Sequence, residues 1–529
     1  MTTSSPDAGR TAPGDPEPGR GPAQGPDSWD LLVSAALVGT ARRAVPDTPD
    51  LPATAETGGA AALLDRAALA TVRRLAGYTP ARAAPVSPAP EADRPEAGGP
   101  AARRLEAVLA DRSGLLPEWL ELAAAAGLRV PAEHLPALLD RGAHDSSLRP
   151  AVAAAAGARG LWLAGFDPDW SYLLAESAPE DVFDEQAWLY GTEGERRRML
   201  GALRAADPAR GRELLASVWP DLRKAELRRR LLEAMGTGLG PDDAGLLETA
   251  LDDKGANVRG LALSLLTRLP RCAHADRLRD HVRAHARPGP EDTVVVTPVG
   301  ADEAGLLRDL ALARPSGAVG RRERAEYLWT LVTRAPLDVW TGLLGTDPAG
   351  VLERVSRSDD EELHDALINA IGVQEDGEWA RAALGMLEGK VTDRMLSAAR
   401  SRRPLQLEPL LRVLPARERC SLAERSFGPR TNTRDVRSLL HAVPGPWTAS
   451  LAHRVADRLG GKGWDRDHGG YRSVCDLLAE RTPPELVHEL PQETPSLAAV
   501  GGPDGTGDSA YRSLLGTLRF RLDMHKELA

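Results

Sequence analysis

The densest group of metal-type ligands in this 529-residue chain is RCAHADRLRDHVRAH, which holds Cys272, His274, His281 and His285. Imidazole nitrogens and a thiolate are the donors that tetrahedral Zn²⁺ prefers. On a helix, His274, His281 and His285 fall at i, i+7 and i+11 and project from one face, with Cys272 in the preceding turn. Distance along the axis decides against a single ion, because a rise of about 1.5 Å per residue separates His274 from His285 by about 16 Å. His281 and His285 alone keep the i, i+4 spacing of two ligands, yet no HExxH glutamate lies between them. The expectation is a solvated, mildly basic helix face and no metal site.

Two glycine motifs invite a phosphate reading. GTGLG (Gly236 to Gly240) follows a helix ending near Met235. A dinucleotide fingerprint must instead follow a strand and open a helix, so GTGLG reads as a helix C-cap and turn. GGKGW (Gly460 to Trp464) lacks the earlier glycine and the Ser or Thr of a P-loop, and reads as a loop. There is no GxSxG elbow, and local spacing picks out no Cys/His or carboxylate pair. No catalytic residue, cofactor site or metal ligand is assigned.

The cations gather at Arg196 to Arg198 and at Arg223, Lys224, Arg228, Arg229 and Arg230. If both helices turned them to one concave face they could grip phosphates. Glu193, Glu195, Asp221 and Glu226 are interleaved with them, arginine stems commonly cover apolar surface, and the chain carries a net charge of -10, which opposes generic polyanion binding. A solvated face is expected, with nucleic-acid binding as the second reading. The aromatic motif LWLAGFDPDW places Trp162, Phe166 and Trp170 at i, i+4 and i+8, but Asp167-Pro168 breaks the helix and leaves an aromatic loop. Core packing is the expectation there; a partner-binding anchor is the alternative.

These groups need elements to hold them. Ala, Leu and Arg dominate, aromatic residues are only 4 %, and the apolar residues from Ala101 onward recur at three and four with Gly or Pro punctuation, as in short packed helices. Residues 1–27 read as a disordered tail, and LLVSAALVG, starting at Leu31, is too short to span a bilayer and comes too late for a signal peptide. N-terminal helices over 28–78, a Pro/Ala-rich linker over 79–100, helical repeats over 101–290, an extended insertion over 291–300 (EDTVVVTPVG), then further repeats and C-terminal helices over 301–529 complete the chain. Helices are expected at 222–235, 241–251 and 256–268, the last with Val258, Leu261, Leu265 and Leu269 on one face. LLEAMG (Leu231 to Gly236) is matched by LINAIG (Leu367 to Gly372), the mark of a recurring unit. The turn DDKGANVR, from Asp252 to Arg259, resembles the turn inside HEAT repeats. The fold expected is all-α: a HEAT-like α-solenoid of stacked helix pairs with a small extended insertion near 292–298. Cys272, Cys420 and Cys475, odd in number and far apart, form no disulfide framework and suit a reducing cytoplasm.

LLVSAALVGTARR (Leu31 to Arg43), LWLAGFDPDW (Leu161 to Trp170) and the HEAT-like middle together resemble a family of unknown function from high-GC bacteria, over a span from about Trp29 to the C-terminus. Genes of that family often lie beside those of SWIM zinc-finger proteins, MoxR-type AAA ATPases and von Willebrand factor A-domain proteins. The resemblance carries no catalytic residues; it implies a cytoplasmic helical-repeat partner of an ATPase and A-domain chaperone system. The function expected is a non-catalytic, protein-binding scaffold with neither cofactor nor membrane contact. Nucleic-acid binding through the arginines and a cryptic hydrolase or metalloenzyme using Cys272 and His281 stand as alternatives.

Overall fold

The computed structural model describes residues 28–49, 51, 52, 58–76, 86–90, 94–178, 181–300, 303–313, 320–358, 360–385, 407–428, 431–460, 464, 468–492 and 506–529. The expected tail at 1–27 and, within the expected linker at 79–100, residues 79–85 and 91–93 lie outside the described residues. The chain divides into two compact units, 1–88 and 89–529.

In the first unit the helices Ser28–Val38 and Gly59–Ala76 pack together. Leu32 and Ala70 are buried at the contact, with Leu63 and Leu69 packed beside them. Gly39 ends the first helix at φ +89°, a left-handed cap that favours a residue without a Cβ.

The described part of the second unit is helical throughout, apart from one hairpin and one isolated bridge, Glu96 to Arg129. Its helices pack in an alternating order. Glu193–Ala206 lies on Ala225–Ala234, which lies on Ala256–Thr267. Further along, Ala273–His285 contacts Arg321–Arg334, and contact then passes through Glu361–Gln374, Leu407–Val413, Thr433–Ala442 and His468–Arg481 to the final helix Thr506–Leu528. The two matched motifs sit in this same layer. Leu231 and Leu367, Ala234 and Ala370, and Met235 and Ile371 are buried in corresponding positions, so the sequence match reflects repeated core packing. Of the expected face, Val258, Leu265 and Leu269 are buried and Leu261 is half-buried, with Ala262 and Leu266 buried beside them. That helix touches both Ala225–Ala234 and Ala244–Ala250, so its apolar surface is broader than one stripe.

The final helix ties the ends of this unit together. Its Leu514, Leu515, Leu518 and Leu522 belong to the largest core, while Met524 and Leu528 enter a separate core with Leu105, Trp119 and Leu139. It packs on His468–Arg481 on one side and on Gly99–Asp111 and Leu116–Ala125 on the other.

The extended segment is shorter than expected and paired. Val294–Val296 runs antiparallel to Ala286–Pro288, with Ala286 opposite Val296 and Pro288 opposite Val294. The partner strand lies inside the stretch read as helical repeat, directly after the helix that ends at His285. The Val294 amide donates to Ser358 Oγ at 2.7 Å, which fastens the hairpin to the end of the helix Pro348–Arg357.

Helix ends are secured by a device that spacing does not reveal. The last carbonyls of a helix lack intrahelical donors and sit at the negative end of its dipole. Here arginines from neighbouring helices supply the donors: Arg354 Nη1 to Leu344 (2.9 Å), Arg419 Nη1 to Leu414 (3.0 Å), Arg481 Nη1 to Leu440 (3.0 Å) and Arg521 Nη1 to Ala479 (2.6 Å). One helix end is instead strained. Glu375, exposed beyond Glu361–Gln374, holds φ +54° in the left-handed region. Glycine takes that conformation without a Cβ clash. Glu375→Gly is expected to raise the unfolding free energy by about 1 kcal/mol, read from the midpoint of urea denaturation at constant slope.

Candidate protein-binding surface

The Cys272, His274, His281 and His285 group does not form the solvated face expected of it. On the helix Ala273–His285, His274 is buried with only 1 % exposed, and its Nε2 lies 2.8 Å from the Asp309 carbonyl. His281 Nε2 is 3.6 Å from Asp309 Oδ2, and His285 Nε2 is 2.8 Å from Glu303 Oε2. The face turns toward the helix Ala304–Asp309 instead of water, because two carboxylates there meet the imidazoles. Among the described residues no three His, Cys, Asp or Glu side chains converge to hold a metal ion.

Asp309 is the hub of that contact. Arg277 donates to both its oxygens (2.9 and 3.0 Å), and Arg308 lies 3.2 Å away. Burial pushes its carboxyl pKa upward, but the hydrogen bonds from His281 and Arg277 and the charge of Arg277 prevail and hold it well below the usual carboxylate range. A carboxyl depressed in the folded state contributes stability above its unfolded pKa of about 3.9, and that contribution is lost as pH falls through the folded value. Asp309→Asn keeps one acceptor but loses the charge. It is expected to lower stability at neutral pH by about 2 kcal/mol, and the difference between variant and parent, followed by denaturant melts, should shrink below about pH 4.

The arginine clusters are largely paired. Arg198 donates from two nitrogens to Asp181, Arg228 does the same to Asp253, and Lys224 Nζ lies 2.8 Å from Glu193. Arg229 pairs with Glu226 and Glu233, Arg230 with Glu226, and Arg197 with Glu176 and Glu233. The guanidinium of Arg196 lies over the ring of Trp188 at 5.0 Å. Hydrogen bonds from Arg229 and Arg230 hold the Glu226 carboxyl down to about 2. The expected solvated face is therefore an ion-paired seam, because the interleaved carboxylates and those of the next turns neutralise it.

The glycine motifs bind the chain to itself. Gly238, in GTGLG, adopts φ +60°, and its carbonyl accepts from Arg204 Nη2 at 2.9 Å. Within GGKGW, Gly460 follows the helix Ala449–Leu459 and Trp464 is buried, its Nε1 donating to the Arg458 carbonyl; 461–463 lie outside the described residues.

An open groove of about 1070 Å³ is lined among others by Glu375, Glu408, Arg412, His441 and Arg481. Burial, with Arg481 and Arg437 nearby, holds the His441 imidazole below its ordinary pKa. His441 Nε2 lies 2.8 Å from Ser473 Oγ, the spacing of a nucleophile and its base. Ser473 is inside the helix His468–Arg481, where neighbouring amides are spent on helix hydrogen bonds and offer no oxyanion hole. This pair has the distance of a dyad without the donors that acyl transfer requires.

At the aromatic loop of the second unit, apolar side chains stay at the surface. The helix Arg149–Ala164 stops, Asp167 accepts from the Asp169 amide, and the short 3₁₀ helix Pro168–Ala175 begins. Trp170 donates through Nε1 to Asp140 Oδ1 at 2.8 Å, and Tyr172 through its hydroxyl to the Leu139 carbonyl at 3.0 Å. Core packing was the expectation for Phe166 as well, yet it is 58 % exposed, its ring edge-on to the half-buried Trp162 at 4.8 Å. The sharp turn at Asp167-Pro168 carries Phe166 past the end of the packed face. Val182 (81 %), Leu189 (54 %) and Tyr190 (80 %) are exposed further along the chain. Among the described residues of the second unit, four of the five exposed large hydrophobics thus lie between 166 and 190, the fifth being Val373.

One helix positions this surface. Glu193–Ala206 contacts both Pro168–Ala175 and Glu185–Tyr190, and Gly201 lets the connecting segment lie close, since a Cβ there would meet Ser177 Oγ at 2.2 Å. A composition signal marks the stretch. Residues 161–190 hold seven of the chain's 21 aromatic side chains and seven carboxylates, with no Lys, Arg or His. Helical periodicity conceals it, because it lies in the breaks between helices.

No curated protein is significantly similar to the chain. A crystal structure of an engineered protein from the Northeast Structural Genomics Consortium aligns over 80 % of this chain and 99 % of its own at 14 % identity, with a TM-score of 0.21, an overlap too low to carry an argument. A family model described as a family of unknown function, DUF5691, matches residues 31–528. The match embraces both the aromatic surface and the alternating helices, and the chain belongs to that family.

Proposed function

We propose that this chain is a non-catalytic protein-binding scaffold, a helical-repeat solenoid that docks partners through the exposed apolar side chains Phe166, Val182, Leu189 and Tyr190. The observation that carries this reading is the concentration of Phe166, Val182, Leu189 and Tyr190 at the surface, since exposed aromatic and aliphatic side chains are the usual anchors of protein contacts. Free, buried cysteines at 272, 420 and 475 suit a reducing compartment. Among the described residues no helix is long and apolar enough to cross a membrane. The resemblance to a family encoded beside MoxR-type ATPases and von Willebrand factor A-domain proteins makes such a system the first partner to test. Nucleic-acid binding is the weaker reading, because the cations it needs are engaged by carboxylates.

A photo-cross-linking residue placed at Phe166 or Tyr190, and at exposed Arg223 as control, tests this in native cytosol with and without ATP. Adducts formed at 166 and 190 but not at 223 are expected, with yields that change with nucleotide if the partner is an ATPase. The same products from all three positions, or none from 166 and 190, would count against the scaffold.

A further inference from the structure

We infer that the groove of about 1070 Å³ holds an extended peptide segment of a protein partner, one that offers an acidic side chain to Arg481 and a basic one to Glu375. This second docking site goes beyond the role given to Phe166 and Tyr190. Four helices in successive contact build it: Glu361–Gln374, Leu407–Val413, Thr433–Ala442 and His468–Arg481. Each of them contributes to the lining, through Gly372, Glu408, His441 and Arg481 in turn. Stacked repeats present extended binding surfaces in this way, along a row of neighbouring helices. The volume stands at the top of the range for small-molecule sites, roughly 300–1,000 Å³, and the groove is open, which suits a length of chain better than a metabolite.

The charges of the lining select the segment. Glu408 and Arg412 pair with each other. Among the described residues Glu375 and Arg481 have no ion-pair partner. Arg481 is half-buried, and its Nη1 is spent on the carbonyls of Leu440, His441 and Val443. Its Nε and Nη2 have no acceptor among the described residues, which leaves one edge of the fork for an anion. Burial lowers its pKa further than the charges of Glu480 and Glu408 raise it, as for a cation short of counter-charge. Glu375 directly follows the first helix of the row, whereas Arg481 ends the last. It is exposed and holds φ +54°, where glycine would be less strained, so the chain gives up stability at the position that sets a carboxylate on the groove. An all-acidic segment would meet Glu375 and Glu408, and an all-basic one Arg412 and Arg481. A neutral segment would strip water from Arg481 without returning a counter-ion. A segment with one charge of each sign, in the right order, satisfies both ends, while half-buried Pro409, Val413 and Ala442 in the lining receive small apolar side chains.

The test is fluorescence anisotropy of the full chain with labelled Ala/Ser peptides of about twelve residues, carrying one Glu and one Lys in either order and about three to eight positions apart, roughly 10–28 Å of extended chain. One order and spacing is expected to bind about tenfold or more tightly than the peptide with Gln at both positions, and to weaken with added salt. Replacing the peptide's Lys with Gln should cost about threefold in the parent, the reach of an exposed pair, and nothing in Glu375→Gly. Because that variant is expected to melt at higher urea than the parent, its lost preference cannot come from unfolding. Arg481→Met should likewise erase the preference for Glu over Gln in the peptide; since Arg481 also caps a helix, Glu375→Gly decides the matter if the Met variant unfolds. Equal affinity of the parent for all the peptides overturns the inference, as does a Lys preference that survives Glu375→Gly. Inorganic phosphate that binds more tightly than the best peptide, read by displacement at constant ionic strength, also overturns it and leaves Arg481 a small-anion site. The cross-links expected at 166 and 190 are independent of each of these outcomes.

Discussion

Arg204→Met is expected to lower the unfolding free energy by about 3–5 kcal/mol, the range for breaking a buried ion pair from one side. Arg204 is fully buried, and Asp243 beside it is 2 % exposed. The guanidinium donates to both oxygens of Asp243 at 2.9 and 2.8 Å, and also to the carbonyls of Thr237, Gly238, Pro208 and Met235. One side chain therefore fixes the turn after Ala225–Ala234, the start of Pro208–Val218 and the N-cap of Ala244–Ala250. Methionine fills similar volume but leaves the buried carboxylate only the Gly240 amide and Arg212, 3.9 Å away, and leaves several carbonyls without their donor. Arg204→Lys keeps the charge and loses the planar fork, so it should fall between parent and Met variant. Adding Asp243→Leu to Arg204→Met removes the stranded charge and should recover part of the loss, but not the part due to the carbonyls. Urea denaturation of the two single variants and the double closes the cycle. A summed effect with no coupling would show that the pair is not what holds this turn.

The second large effect is expected at the other end of the chain. Glu118 accepts from Arg521 Nε and Nη2 at 2.7 and 2.8 Å and lies 2.7 Å from His525 Nε2, while Arg521 is 6 % exposed and also donates to the carbonyls of Ala479 and Thr482. Arg104 and Glu527 form a second bridge between the same regions, 3.0 Å from Nε to Oε2. Glu118→Ala leaves the Arg521 cation buried without its counter-ion, and a loss of about 3 kcal/mol is expected. Local opening of Thr506–Leu528 should accompany it, seen as faster amide hydrogen exchange there than in Ala256–Thr267. Burial raises the Glu118 carboxyl, but its hydrogen bonds to Arg521 and His525 lower it further than burial raises it. This stabilisation is therefore present above the unfolded value of about 4.3 and disappears as pH drops through the folded one. Unchanged exchange in the variant at pH 7 would rule out the clasp.

The helical character was legible because it is a local property. Ala, Leu and Arg set the propensity, and recurrence at three and four put Leu231, Met235, Leu367 and Ile371 on faces that are indeed buried. The valine run showed that an extended piece existed, but Ala286–Pro288, its partner, has no β-branched residue and carried no sign of pairing. The histidine helix was misjudged for a related reason: its neighbour, Asp309, lies 28 or more positions away in sequence, and only that neighbour turns His274 from a solvated side chain into a buried one. The aromatic surface was half legible. Asp167-Pro168 announced the break at LWLAGFDPDW, while the outward placement of Phe166 depends on where the helix Glu193–Ala206 presses the following segment.

By itself the sequence determined the all-α class, the recurring unit and the absence of recognisable catalytic motifs, since propensity, period and motif spacing act over a few turns of chain. Tertiary structure alone decided which charges meet. Each Arg stem can reach several acceptors, and the choice among them is made by helices folded from opposite ends of the chain, as Arg521 and Glu118 are. It also decided which apolar side chains, Phe166 among them, stay at the surface.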